Sequence, residues 1–409
     1  MGSTQQWNSV AVDPLVSMLT CANYSHATQQ RIRKLLFTHI VPNLGPDPGQ
    51  YSTPAISFMC DDGTPIEYSW VVTRDGRTIV RFAIEPSIVA PGGGGTANQA
   101  PQALVQAMVQ DGTVANLDWS WYKVCMGTLA LQQSHPAWNN VVADMHKTQY
   151  FIGYDIDASS GEVSLKAYFI PQLLSRATGI PTLTLVEQTC QHLGLSVPWA
   201  TLKAFIDSFK EARMRPDTPI TAIDFVPGTA NRFKVYVRAK PEQMTWNDLV
   251  HFFTLGGRLS EVPAVKAALD AAWKLWCVLF NHAGLSQAQF ASIRPPPMHG
   301  SNRATAALCM YYDLRQGSPL PSPKVYIPVR HYMRSDLEIS QAMVQFSRAE
   351  ANAAGVKRYG DDFMQCFGHL NPAGRVGIHT YVSVAVKKND YECSAYYSPS
   401  AFSPSRSPY

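Results

Sequence analysis

Apolar spacing along this chain switches between the helical and the strand period in one repeated order, and that recurrence narrows the folds open to it. Helical spacing runs over about 13–20 and 27–41, and ISFMC, TPIEYSWVV and TIVRFAIEPS then read as strands. Helices near 99–110 and 117–146 precede YFIGYDID and VSLKAYFIP, which flank a Ser-Ser-Gly turn. The order returns with helices near 183–194 and 197–213 before TAIDFVP and RFKVYVRA, and near 245–254 and 261–283 before AALCMYYDL and KVYIPVRHY. A last unit places helices near 336–354 and 360–369 ahead of GIHTYVSVAVKK and YECSAYYSP. Each unit spans roughly 60 to 90 residues, which is the self-similarity of a repeat architecture. Five units of two helices and two strands supply ten antiparallel strands, enough to close a barrel with an interior cavity and helices outside. The expected class is therefore α+β: a single-domain ten-stranded antiparallel β-barrel surrounded by helices over 1–397. Residues 398–409, rich in Ser and Pro, read as a tail that is disordered or draped on the surface.

Three of these strands carry a lysine and a tyrosine two residues apart: Lys166 with Tyr168, Lys234 with Tyr236, and Lys324 with Tyr326. Alternation along a strand sends both members of each pair to one face. A single pair reads equally well as an amphipathic strand with a solvated lysine. Three copies that share one interior describe a pocket for a multiply charged anion such as a diphosphate. Arg232 lies two residues before Lys234 and extends the same face. Arg81 interrupts the apolar run of Val80, Phe82 and Ile84, and a buried guanidinium needs an anion. That anion is the ligand, or else a carboxylate such as Glu85, or Arg81 lies on the outer face. Glu67, between Ile66 and Tyr68, is an acid that either pairs with a strand neighbour or accepts the N–H of a heteroaromatic ring and so raises its electron density.

Charge, cysteines and apolar runs close off other classes. Charged residues make up only 16% of the chain and the net charge is +4, without the basic stripe of a nucleic-acid binder. The eight cysteines stand singly, in no spacing that suggests a zinc site. No run approaches the roughly 18 apolar residues of a membrane span, so a cytoplasmic protein with reduced thiols is expected. The run Gly92–Gly95 lacks the Lys-Ser/Thr ending of a P-loop and reads as a flexible loop. The acidic doublets Asp61-Asp62 and Asp361-Asp362 do not continue to a third aspartate at helical spacing, so no magnesium-binding cluster is expected and the strand cations would neutralise a diphosphate instead. Tyr168, Tyr236, Tyr326, Tyr381 and Tyr396 can hydrogen-bond phosphate oxygens, and their π faces can stabilise a carbocation.

Taken in order, LGPDP at 44–48, GTPIEYSW, VRFAIEP, LKAYFIP, FKVYV, TLGGRL at 254–259, KVYIPV and AYYSP at 395–399 resemble the aromatic prenyltransferases of the dimethylallyltryptophan synthase type, found mostly in fungal secondary metabolism. The resemblance covers nearly the whole chain and implies a barrel of repeated ααββ units. It also implies metal-independent transfer of a dimethylallyl group from dimethylallyl diphosphate to an indole-containing acceptor, with no cofactor. By that likeness Glu67 would bind the indole N–H. Arg81, Lys166, Tyr168, Arg232, Lys234, Tyr236, Lys324, Tyr326 and Tyr396 would surround the diphosphate and shield the cation, with Tyr381 on the same wall. Met310 falls where a bulky residue would limit prenyl length and favour dimethylallyl over longer donors. Two positions depart from the pattern. Glu392 stands where a tyrosine is expected, and Ile152 stands before Gly153-Tyr154-Asp155 where enzymes acting at indole carbon 4 carry a lysine. A tyrosine, phenol or polyketide acceptor stays open, as do a longer donor, a homodimer and a barrel that binds an anion without catalysis.

Overall fold

The computed structural model describes residues 5–45, 47–48, 57–72, 78–86, 99–141, 148–280, 285–299, 304–350, 358–388 and 390–402. Its strands are β1 (Ile66–Val72), β2 (Thr78–Ile84), β3 (Tyr150–Ile156), β4 (Val163–Phe169), β5 (Thr221–Asp224), β6 (Phe233–Arg238), β7 (Cys309–Leu314), β8 (Ser322–Ile327), β9 (His379–Lys387) and β10 (Asp390–Tyr397). Every neighbour pair is antiparallel, and β10 pairs with β1 to close the barrel. Helices precede each strand pair: α1 (Asp13–Cys21) and α2 (His26–Leu35), then α3 (Gln99–Gln110) and α4 (Ser120–Leu129). Next come α5 (Gln172–Thr178), α6 (Thr182–His192) and α7 (Ser196–Ile206), then α8 (Trp246–Phe253), α9 (Pro263–Phe280) and α10 (Gln287–Ser292). The last pair is α11 (Asp336–Ala349) and α12 (Tyr359–Phe367). The five-unit order expected from periodicity is present.

The apolar core is the annulus between strands and helices. Outward strand positions such as Tyr68, Phe82, Ile152, Leu165, Val235, Tyr312, Val325 and Val384 are buried there. Helix α9 presents Ala264, Ala268, Ala271, Ala272, Leu275, Trp276 and Leu279 to it, a stripe at helical spacing. Because this outer layer satisfies the hydrophobic requirement, the inner face of the barrel is released for polar side chains.

Several local expectations need correction. ISFMC is no strand: Ser57–Cys60 are irregular, and the edge of β1 that a further strand would need is already taken by β10. Of the helix read over 117–146, the described residues form α4 and, after a break at Ala130 (φ −113°, ψ 133°), a short 3-10 turn at Pro136–Asn140; 142–146 lie outside the described residues. Of the tail, Ser398–Phe402 is packed rather than loose. Ser398 N–H donates to the Ile378 carbonyl at 2.8 Å, Ala401 N–H donates to Thr64 Oγ1 at 3.0 Å, and the Phe402 ring lies 6.1 Å from Trp7. Residues 403–409 and the run Gly92–Gly95 lie outside the described residues. Among the described residues no helix is long and apolar enough to cross a membrane.

The entry to β9 is held by one buried carboxylate. Asp336 accepts Ile378 N–H at 3.0 Å and His379 N–H at 2.6 Å, and lies 3.0 Å from His379 Nδ1. Removing it strands buried donors that have no water to turn to. Asp336→Ala is expected to lower the free energy of unfolding by about 3 kcal/mol in urea denaturation. A loss below about 1 kcal/mol would show that β9 is anchored elsewhere.

Candidate active site

One cavity runs inside the barrel, and Glu67, Arg81, Lys166, Tyr168, Arg232, Lys234, Tyr236, Lys324, Tyr326, Tyr381 and Tyr396 all line it. Strand parity explains the convergence. On the even-numbered strands β4, β6 and β8 the inward positions step from lysine to tyrosine in the same direction, so the charges form one layer and the rings the next.

The charged layer is interleaved with carboxylates. Arg81 pairs with Asp155 at 3.1 Å and with Glu392 at 3.2 Å, and Lys166 shares Asp155. Arg232 meets Asp224 at 2.6 Å and Asp313 at 3.1 Å, while Lys234 reaches Asp224 at 3.0 Å. Asp224, Asp313 and Glu392 do not line the cavity, whereas Asp155 and all four of these cations do. Asp155 apart, the carboxylates therefore support the cations from outside the cavity and leave a wall with an excess of positive charge. Arg81 does not pair with Glu85, which instead accepts Ser57 Oγ at 2.6 Å and the Thr148 hydroxyl. Glu392 supplies a carboxylate where a tyrosine was expected: burial raises its pKa, but Arg81, Lys387 and Lys324 outweigh that and hold it at about 2.

Burial works against the lysines. Desolvation, with Arg232 nearby, pushes Lys234 down to about 7, and Asp224 only partly offsets this. Lys166 is lowered too, by burial first and against the pull of Asp155. An anion beside them would favour the charged form of both.

Above the cations lies a collar of rings. Tyr236 is 6.3 Å from Tyr168, 5.5 Å from Tyr311 and 6.0 Å from Tyr326; Tyr326 is 6.0 Å from Tyr381 and 5.3 Å from Tyr396. Lys324 Nζ donates to Tyr396 Oη at 2.8 Å and stands 4.9 Å from the Tyr326 ring centre, so the collar already holds a cation against its faces. Burial raises the pKa values of Tyr168, Tyr236, Tyr311, Tyr326 and Tyr381. The phenols stay neutral, which denies an electrophile any phenolate to attack it.

Beyond the collar, Glu67 Oε1 accepts Thr380 Oγ1 at 2.8 Å. Desolvation lifts Glu67 to about 8 despite that bond. At pH 7 it is mostly protonated, and it becomes a carboxylate as pH rises through 8.

Two readings of single positions fail on parity. Met310 is buried in the outer core, opposite Val237 and Val325 in register, so it does not line the cavity; Cys309 and Tyr311 do. It therefore cannot set prenyl length by contact. Ile152 also faces outward, so the lysine missing there says nothing about the cavity, and the inward residue is Gly153. A Cβ on Gly153 would stand 2.9 Å from the Tyr168 ring, which itself stacks on Phe151 at 4.4 Å and 7°. The strands YFIGYDID, TAIDFVP and MYYDL already carried Asp155, Asp224 and Asp313, and Tyr311 shares a face with Asp313, but only the pairing of strands shows which cation each acid meets. Thr380 and Arg238, which also line the cavity, were missed; continuing the step of two from Arg232 reaches Arg238.

The sequence profile of the tryptophan dimethylallyltransferase family matches residues 3–362. The chain is 29% identical to the 4-O-dimethylallyl-L-tyrosine synthase of Claviceps purpurea, over 96% of this chain and 87% of that one. It is 28% identical to a 7-dimethylallyltryptophan synthase of Aspergillus fumigatus, over 94% and 83%. The crystal structure of NotF in complex with brevianamide F and DMSPP superimposes with a TM-score of 0.79 at 20% identity, covering 97% of this chain and 95% of that one. AnaPT from Neosartorya fischeri gives 0.75 at 20%, covering 97% and 94%. These two likenesses speak to the fold.

Gly153→Ala is expected to destabilise the protein by about 1–3 kcal/mol through the clash with Tyr168. In a double-mutant cycle the cost should vanish with Tyr168→Ala, measured by urea denaturation. Equal costs in both backgrounds would mean that the two residues do not compete for one space.

Proposed function

The chain belongs to the tryptophan dimethylallyltransferase family and is an aromatic prenyltransferase, and from that premise we propose how its cavity divides the work. Dimethylallyl diphosphate lies with its diphosphate on Arg81, Lys166, Arg232, Lys234 and Lys324 and its allyl end in the tyrosine collar. The allylic C–O bond breaks with both electrons leaving on the diphosphate, which the cations stabilise as charge develops. The collar stabilises the cation by about 2 kcal/mol per desolvated ring contact and keeps water from it. A carbon of an electron-rich ring attacks the allyl carbon, and loss of a proton restores aromaticity. The observation that carries this reading is the order of layers: cations, neutral phenols, then the buried acid Glu67 on the acceptor side.

Glu67 is proposed to accept the N–H of an indole-bearing acceptor. The likeness to a tyrosine-prenylating enzyme keeps a second reading in play, in which Glu67 takes the phenol O–H and oxygen is the nucleophile. The donor is assigned as dimethylallyl from the family, since Met310 no longer supports it. Five wall cations, rather than a metal, are proposed to neutralise the leaving group.

Two titrations separate donor from acceptor. An ionised Glu67 is the stronger acceptor, so kcat/KM for the aromatic substrate at saturating donor should rise as pH climbs through about 8 and level off above it. Glu67→Gln should flatten that rise and cut kcat by roughly 10² or more, with donor affinity kept. An unchanged profile would remove Glu67 from the acceptor site. Lys234 acts with the opposite sign. It must be protonated to hold the donor, so at pH 8 binding of an unreactive dimethylallyl thiolodiphosphate should take up protons and weaken as pH rises above about 7. Calorimetry in buffers of different ionisation heat reads this, and Lys234→Met should abolish most of the uptake. Proton release on binding would contradict it.

A further inference from the structure

We infer that Arg238 anchors the carboxylate of the acceptor, which makes the acceptor class a free aromatic amino acid rather than a cyclic dipeptide or a carboxyl-blocked derivative. The inference rests on the prenyl-transfer reading and deepens it. Arg238 ends the inward series Arg232, Lys234, Tyr236, Arg238 on β6. At the rise of an antiparallel strand it stands roughly 13 Å from Lys234, with the tyrosine collar between. It therefore belongs to the acceptor side and lies too far along the barrel to share the diphosphate.

Its surroundings answer its charge only weakly. Among the described residues it forms no ion pair with a carboxylate, and its buried Nε has no hydrogen-bond acceptor. The side chains that act on it most strongly are Cys309, which also hydrogen-bonds it, and Tyr381, neither of them ionised at neutral pH; the one carboxylate that acts on it, Asp217, does so more weakly and is paired with Lys240 at 2.6 Å. The other arginine lining this end, Arg330, is paired with Asp61 at 3.0 Å, and His331 and Thr305 share that carboxylate. Arg238, Tyr381 and Glu67 line the same cavity, so one acceptor within it can meet both Glu67 and Arg238. A guanidinium buried without a counter-ion is costly, and a carboxylate answers it with paired, charge-assisted hydrogen bonds. The neutral carbonyl of a cyclic dipeptide leaves the charge uncompensated. The ring N–H or O–H then points to Glu67 while the carboxylate end is fixed at Arg238, which sets the ring against the collar.

The test compares acids with their esters on the full-length protein. Binding of L-tryptophan, L-tyrosine, their methyl esters and a tryptophan-containing cyclic dipeptide is measured by calorimetry with saturating dimethylallyl thiolodiphosphate, and turnover is measured with the reactive donor. At least one amino acid should bind tenfold or more tightly than its ester and than the cyclic dipeptide. Arg238→Gln should bring that acid down to the level of its ester, with the loss in KM rather than kcat, and Arg238→Lys should fall between. Equal binding of acid and ester by the unaltered protein overturns the inference, as does an equal loss for both in Arg238→Gln. Preference for the cyclic dipeptide also overturns it while leaving prenyl transfer intact. If Arg238→Gln does not fold, the acid-to-ester ratio of the unaltered protein and of Arg238→Lys decides. Failure of the prenyl-transfer reading looks different: no product forms from any indole or phenol, whatever the binding ratio.

Discussion

Lysines and arginines buried in a barrel interior are costly without carboxylates in reach, and this constraint organises most of the molecule's inner face. Asp155 lies between Arg81 and Lys166, Asp224 between Lys234 and Arg232, and Asp313 on the far side of Arg232. Each contact crosses between strands, so a slip of one residue would send a charge into the apolar annulus and leave its partner unpaired. The interactions that hold the register therefore also assemble the site. Because most of the carboxylates stand behind the wall, the charge that remains exposed to the cavity is positive.

Function follows from stacking three chemistries along one axis. The lowest layer is the proposed seat of the diphosphate, and Lys234, lowered by burial, would hold its charge more firmly beside that anion. The middle layer offers π faces whose phenols burial keeps protonated. The upper layer holds Glu67, whose raised pKa makes its hydrogen-bonding state depend on pH in the neutral range. Helices on the outside make this possible by taking over the hydrophobic core, so the interior is free to be polar.

Much of this was legible along the chain because strand alternation has a strict period. The Lys-x-Tyr steps at Lys166, Lys234 and Lys324 named one face correctly, and the fivefold order of elements implied closure. What failed was parity and partnership. In CMYYD the bulky Met310 faces the outer core, whereas Cys309 and Tyr311 line the cavity and Asp313 shares their parity without lining it. Ile152 stands where related enzymes carry a lysine, yet it faces the outer core and Gly153 faces the cavity; an apolar residue before a glycine gives no sign of its face. Glu392 looked like a gap in the tyrosine shield, but its role depends on Arg81, 311 positions away, which no local pattern reveals.

The central claim is that protein cations alone hold and release the diphosphate. Its most direct measurement is the affinity of full-length protein for dimethylallyl thiolodiphosphate by calorimetry, in excess chelator and again with millimolar magnesium. The account predicts the same dissociation constant in both conditions, and a weakening of tenfold or more when Arg232 is replaced by Gln. Binding that disappears with chelator and returns with magnesium would contradict it.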